Sequence, residues 1–346
     1  MKRLAMLFLL ATISTPGFAR DQFSICWSIY VGWMPWAYGA EQGIVEKWAD
    51  KYDITIDVVQ INDYIESINQ YTAGQFDGCT MTNMDALTIP AAGGVDSTAL
   101  IVGDFSNGND GIVLKGQDSL EAIKGQRVNL VELSVSHYLL ARALDSIGMS
   151  ESDVQVVNTS DADLVSVYTS DDVTSVVTWN PLLSEVESMP DSNKVFDSSS
   201  IPGEIIDLLV VNSETLAENP DFGKALVGAW YEIMATMSAD DQAATDARSF
   251  MADASGTDLA GFDAQLASTS MFYTPAEAVM FTNGDALPTT MQYVAEFSFD
   301  HGLLGDGAPD AGFIGIGMPA GMYGDEANAK LRFDSSFMQM AVDGEL

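Results

Sequence analysis

The 346-residue chain is 47% hydrophobic and carries 14 basic against 50 acidic residues, a formal net charge of −36. The apolar content excludes a disordered chain, and the length predicts about two domains with substantial cores. A surface this acidic excludes nucleic acid as a partner and repels anionic lipid, although it is equally what a protein working in high salt would carry.

Lys2 and Arg3 precede an apolar run from Leu4 to Ile13, and Gly17-Phe18-Ala19 supplies the small residues that a signal peptidase needs. The run is shorter than the ~20 residues of a membrane-spanning helix. Residues 1–19 therefore read as an export signal, and fold reasoning begins near Arg20.

Phe23 to Tyr30 reads as a strand, Trp36 to Tyr52 as one amphipathic helix, Ile54 to Ile61 as an alternating strand, and Asp63 to Thr72 as a helix stopped by Gly74. Phe76 to Met81 is a third strand, Met84 to Ile89 a short helical turn, and Ala99 to Val102 a fourth strand. The run Gly103-Asp104-Phe105-Ser106-Asn107-Gly108-Asn109-Asp110-Gly111 then leads into a strand at Ile112 to Leu114. Its glycines reach positive φ cheaply, and its Ser, Asn and Asp side chains can grip backbone or ligand, so it reads as a hinge with a binding edge.

Past the hinge, Asp118 with Glu121 forms a capping pattern for Ser119 to Lys124. Gln126 to Val131 reads as a strand, Val135 to Ile147 as a helix closed by Gly148, and Val154 to Val157 and Val173 to Thr178 as further strands. Asn180-Pro181 opens a helix, and Ile205 to Asn212 is a strand that returns the chain across the hinge. From Glu214 onward the pattern is mostly helical, with a glycine-rich stretch from Gly302 to Gly324. Strands separated by single helices predict an α/β fold with mostly parallel sheets in two lobes. The boundaries expected are 20–105 with 210–346 for one lobe and 106–209 for the other.

Chemistry-bearing motifs are few. The sequence contains no CxxC, HExxH, GxSxG or GxxxxGK[ST] pattern, and His137 and His301 lie far apart, so neither a metal nor a cofactor is expected. Cys26 and Cys79 could pair after export or remain neighbouring buried thiols.

Val31-Gly32-Trp33-Met34-Pro35-Trp36, Gly74-Gln75-Phe76-Asp77-Gly78, the Ser106 to Gly111 hinge, Ser134 to Leu140 and Trp179-Asn180-Pro181, in this order and spacing, resemble the periplasmic substrate-binding proteins of nitrate/sulfonate/taurine ABC importers. The resemblance runs from the first strand to Asn212 and is closest to the branch associated with urea carboxylase. It implies the type II periplasmic binding fold, two α/β lobes joined by a two-strand hinge. It also implies a monomer that delivers a small guanidine-like or urea-like ligand to ABC permease subunits, without catalysis. An enzyme similar to the pyrimidine synthases of thiamine biosynthesis is the alternative on this fold.

In such folds the ligand lies beyond the strand ends. Those loops offer Trp33, Trp36 and Tyr38; Asn83 and Asp85; Asp104, Ser106 and Asn107; Glu132 and His137; Trp179 and Asn180; and Glu204. Aromatic rings and carboxylates with almost no lysine or arginine predict a cationic, nitrogen-rich solute, with Glu132 as the leading contact. Neutral urea, or an anion such as nitrate or a sulfonate, is the other reading.

Overall fold

The computed structural model describes residues 20–346; the expected export signal, 1–19, lies outside the described residues. Two sheets organise the chain. The first has the strand order Gly321–Tyr323, Gly315–Met318, Ala329–Phe333, Ser97–Ser106, Ile206–Asn212, Gly78–Thr82, Gln22–Trp27, Thr55–Gln60, with Thr269–Met271 pairing beside Ser97–Ser106. Ile206–Asn212 runs antiparallel to both of its neighbours, whereas Gln22–Trp27 is parallel to both of its own. The second sheet has the order Gln155–Asn158, Arg127–Leu130, Ser175–Trp179, Asp110–Lys115, Ser192–Asp197.

Cys26 and Cys79 face each other on adjacent parallel strands, and their sulfurs are joined as a disulfide. Of the two alternatives the sequence left open, the structure holds the bridge.

The crossing between sheets is tighter than the glycine run suggests. Ser97–Ser106 stays in the first sheet to its end and Asp110–Lys115 opens in the second, so the turn itself is Asn107-Gly108-Asn109, with Gly108 at φ 109°. The return passes through Ser198–Ser200 and enters the first sheet at Ile206. Ser198 ties the two passages together: its hydroxyl lies 2.7 Å from Ser106 Oγ and accepts the Gly108 N–H at 2.8 Å.

Several elements differ from the sequence expectation for identifiable reasons. The helix expected from Trp36 to Tyr52 is two, Met34–Glu41 and Ile44–Asp50, because Gly43 takes the left-handed conformation at φ 68° and turns the chain. Ser119 to Lys124 forms only a 3₁₀ turn, Leu120–Ile123, and the Glu121 carboxylate takes the Ser119 hydroxyl instead of completing a box with Asp118. Helix Asp161–Tyr168, strand Ser192–Asp197 and the four C-terminal strands of the first sheet were not expected. Those strands are short, and two of them lie in the glycine-rich stretch, where alternation has too few residues to show.

Helix Pro220–Ser238 closes the first sheet's outer layer. Its Gly228 lies against the Trp48 indole, and a Cβ there would come within 2.3 Å of the ring. No helix among the described residues is long and apolar enough to cross a membrane.

Candidate functional site

A small cavity of about 10 Å³ lies between the two sheets, where strand ends from both converge. The turn after the first strand places Tyr30 and Trp33, fixed by the Trp33 N–H donating to the Tyr30 carbonyl at 2.9 Å. Tyr64 begins a helix capped by Asp63, whose carboxylate accepts the Glu66 N–H at 2.9 Å. Thr82 ends one strand, Asp110 starts another, Trp179 ends a third, Val135 opens a helix capped by Ser134, and Ile205 with Asp207 belongs to the return passage.

The rings form a continuous wall. Tyr30 meets Trp33 edge-on at 4.9 Å between centroids, Trp33 lies 5.6 Å from Tyr64, and Tyr64 meets Trp179 edge-on at 5.5 Å. The Trp33 indole N–H is buried without a partner, a donor left over inside the wall.

Four buried carboxylates gather on and just behind this cavity, and none of its nine lining residues is basic. Asp85 accepts the Tyr64 hydroxyl at 2.6 Å and the Thr82 hydroxyl at 2.9 Å. Burial pushes its carboxyl up to about 6 against those bonds. Asp104 accepts the Tyr30 hydroxyl at 2.9 Å and stands opposite Asp207 in strand register. Gly32 leaves room for it, since a Cβ there would sit 2.5 Å from Asp104 Oδ2.

Burial raises Asp104 to about 7, with the Asp110 charge adding and the bonds to Asp207 and Tyr30 opposing. Asp110 accepts the Ser106 hydroxyl at 2.5 Å; burial raises it to about 7 as well. Asp207 is raised well above the carboxylate range, first by burial and then by the charges of Asp104 and Asp110. Asp85, Asp104 and Asp207 each keep one oxygen without a hydrogen-bond partner. Such a site favours protons or any cation that can replace them.

Of the residues expected from sequence, Trp33 and Trp179 line the cavity, while Asp85, Asp104 and Ser106 stand directly behind it. The others lie elsewhere, each for a local reason. Trp36 packs on Trp230 at 5.2 Å in the core, and Tyr38 packs on Phe250 at 5.7 Å. Asn83 holds the return passage, donating to the Glu204 carbonyl and accepting from the Ile206 N–H, both at 3.1 Å. Asn107 is exposed in the crossing turn.

Glu132 also points outward. Ser134 caps the helix that follows, and Leu133, at φ 63°, turns the loop so that residue 132 faces solvent. Asn180 is a cap, accepting the Ser184 N–H at 3.0 Å. Glu204 is taken up by Arg142 at 2.8 Å and the Tyr138 hydroxyl at 2.6 Å. His137 lies away from the cavity, beside Glu151 and His301, so the two histidines expected to be far apart are neighbours.

Sequence reasoning missed Tyr30, Tyr64, Thr82, Asp110, Val135, Ile205 and Asp207. The available signal was Asp207, an acid interrupting the otherwise apolar strand Ile206 to Val211. Asp110 sat inside the hinge run without being singled out.

Among solved structures, the chain superposes on the alkanesulfonate-binding protein SsuA from Xanthomonas axonopodis pv. citri bound to MOPS with a TM-score of 0.67. The two are 15% identical, over 84% of this chain and 96% of that one. It superposes on the periplasmic nitrate-binding protein NrtA from Synechocystis PCC 6803 with a TM-score of 0.66, at 12% identity over 94% of this chain and 89% of that one. These likenesses show the periplasmic binding protein fold.

A Brucella abortus (strain 2308) chain, named only as a binding protein, is 26% identical over 168 residues, which are 46% of this chain and 51% of the relative. The chain thus spans about half the length of the curated relatives it matches. The NMT1/THI5-like family model matches residues 53–244, more than half of the sequence, and the chain belongs to the NMT1/THI5-like family.

Proposed function

We propose that the protein is the extracytoplasmic solute-binding component of an ABC importer, capturing a small nitrogen-rich cation of the guanidine type between its lobes and presenting it to the permease. In this reading 20–105 with 210–346 form one lobe and 106–209 the other, and the chain acts as a monomer after export. The observation that carries the ligand class is the set of four buried carboxylates around an aromatic wall with no basic residue lining it. The two solved neighbours named above are described with a sulfonate and with nitrate. An anion placed against Asp110 and Asp207 would meet like charge in a low-dielectric gap whenever either carboxyl is ionised.

A cation gains from the same groups. Its N–H edges would pair with the free carboxylate oxygens, and its face would stack on Trp33 or Trp179 at about 0.5–2 kcal/mol per contact. The cavity, about 10 Å³, has room for little more than one water-sized centre, so the lobes must part slightly for a planar guanidinium and only small solutes fit. Catalysis of the thiamine-pyrimidine kind has little to work with: no histidine or cysteine lines the cavity, and both cysteines are in the disulfide.

Thermal unfolding with guanidinium, methylguanidinium, urea, taurine and nitrate tests the reading. Guanidinium is expected to raise the melting temperature most, since a ligand at 100 times its Kd stabilises by roughly 2.7 kcal/mol. Stabilisation by taurine or nitrate with guanidinium silent would overturn it.

A further inference from the structure

The chain contains two histidines in all, and the fold brings both to one carboxylate. His137 lies in the helix Val135–Ser146, Glu151 opens the 3₁₀ turn Glu151–Asp153, and His301 caps the end of the helix Ala286–Asp300. His137 Nε2 is 2.5 Å from Glu151 Oε1, and His301 Nε2 is 2.5 Å from Glu151 Oε2. Both contacts are shorter than the ordinary N–H···O range of roughly 2.7–3.2 Å. His137 Nε2 is buried and, despite that proximity, lies on no hydrogen-bond line to any acceptor. The His301 contact does have hydrogen-bond geometry, so the unpartnered pair is His137 Nε2 and Glu151 Oε1, two donor atoms side by side and off each other's axes, as atoms that share one ion are.

From this geometry we propose that His137, Glu151 and His301 form a binding site for a divalent transition-metal ion of the zinc class. The three donor atoms lie within 4.8 Å of one another, and an ion at ~2.0–2.2 Å from each closes the set with shifts of roughly 1 Å. His301 is already oriented as metal-bound histidines are. Its Nδ1 is 2.8 Å from the Phe297 carbonyl, so Nδ1 carries a proton, and an ion would take the place of whatever proton Nε2 shares with Glu151. Two imidazoles and one carboxylate select zinc-class ions over calcium or magnesium. A depression of about 310 Å³ alongside, edged by Asp145, Glu296 and Asp300 and by Arg142, whose charge is taken up by Glu204, gives a mainly acidic entry path and room for a water as fourth ligand.

One local change accompanies binding. The Leu133 N–H donates to His137 Nδ1 at 3.1 Å, which places the proton of neutral His137 on Nε2. Coordination through Nε2 moves that proton to Nδ1, so the Leu133 amide turns away. Leu133 is exposed and at φ 63°, a conformation uncommon for residues other than glycine. The helix bearing His301 packs beside the first sheet, whereas His137 and Glu151 belong to the segment of the second, so the ion would also clasp the two lobes.

The test uses full-length mature protein, free of any histidine tag and stripped by a chelator, titrated with Zn²⁺ by calorimetry and with Co²⁺ by visible absorption. One equivalent is expected, with a Co²⁺ band marking nitrogen and oxygen ligands. Glu151→Gln and His301→Ala should each weaken binding at least tenfold while cooperative melting in chelator shows that both variants still fold. Both residues are more exposed than His137, so the test survives should His137→Ala fail to fold. Absence of a saturable site, or an affinity unmoved by both variants, overturns the proposal. The guanidinium measurement is made on the chelator-stripped protein and reads a separate cavity, so failure of one reading is distinguishable from failure of the other.

Discussion

Asp104 and Asp207 form a register pair across two antiparallel strands, both buried, and the two carboxyls are hydrogen-bonded to each other, which makes Asp207 the one that holds the proton. Two acids so placed, with Asp110 close enough to add its charge to both, are costly for the empty protein and advantageous only when positive charge arrives.

Asp207→Asn is expected to weaken guanidinium binding by about 1–3 kcal/mol, the usual loss for a charge-assisted hydrogen bond. Glu132→Gln, at an exposed position outside the cavity, should stay within about twofold of the parent, as remote surface charges do. Calorimetry on both variants checks the pair of expectations, and a larger effect at Glu132 would move the site to the outer groove.

The ligand-free protein should lose stability as pH rises. Asp85 is raised to about 6 and Asp104 and Asp110 to about 7, all above the unfolded carboxyl value near 4. The folded state therefore holds more protons than the unfolded state between about pH 4 and 7, and stability falls across that window. Cation affinity should rise over the same interval as the protons leave. Calorimetric melting from pH 4.5 to 8 checks this, and Asp207→Asn should flatten the slope more than removal of any surface acid.

Trp179→Ala opens the aromatic wall beside Tyr64. The variant should bind guanidinium more weakly by at least about 0.5–2 kcal/mol, the worth of one cation–π contact. Ligand-induced tryptophan fluorescence change should shrink with it. Native affinity in this variant would assign the stacking role to Trp33.

Gly228→Ala forces a methyl to within 2.3 Å of the Trp48 ring, a rigid neighbour packed between two helices. Overpacking of this kind costs about 1–3 kcal/mol. The melting temperature should fall while cation affinity is unchanged, because position 228 is outside the cavity. An unaltered melting temperature would show that the Trp48 side chain swings aside.

The sequence by itself determined the α/β alternation, the crossing near Asn107 and the acid-and-aromatic character of the strand ends, because periodicity, turn residues and composition are local properties. It also supplied Trp33 and Trp179, whose neighbours in the chain mark strand ends. Only the tertiary structure decided which acids converge. Asp207 lies in a strand that reads as apolar, and its significance comes from Asp104, a strand partner about a hundred residues earlier. Glu132, on a promising loop, was turned outward by the left-handed backbone at Leu133. Side-chain direction depends on that single φ and on register across strands, and neither is encoded by residue type alone. The same holds for His137 and His301, which no spacing rule connects and which only the packing of two distant helices brings to Glu151.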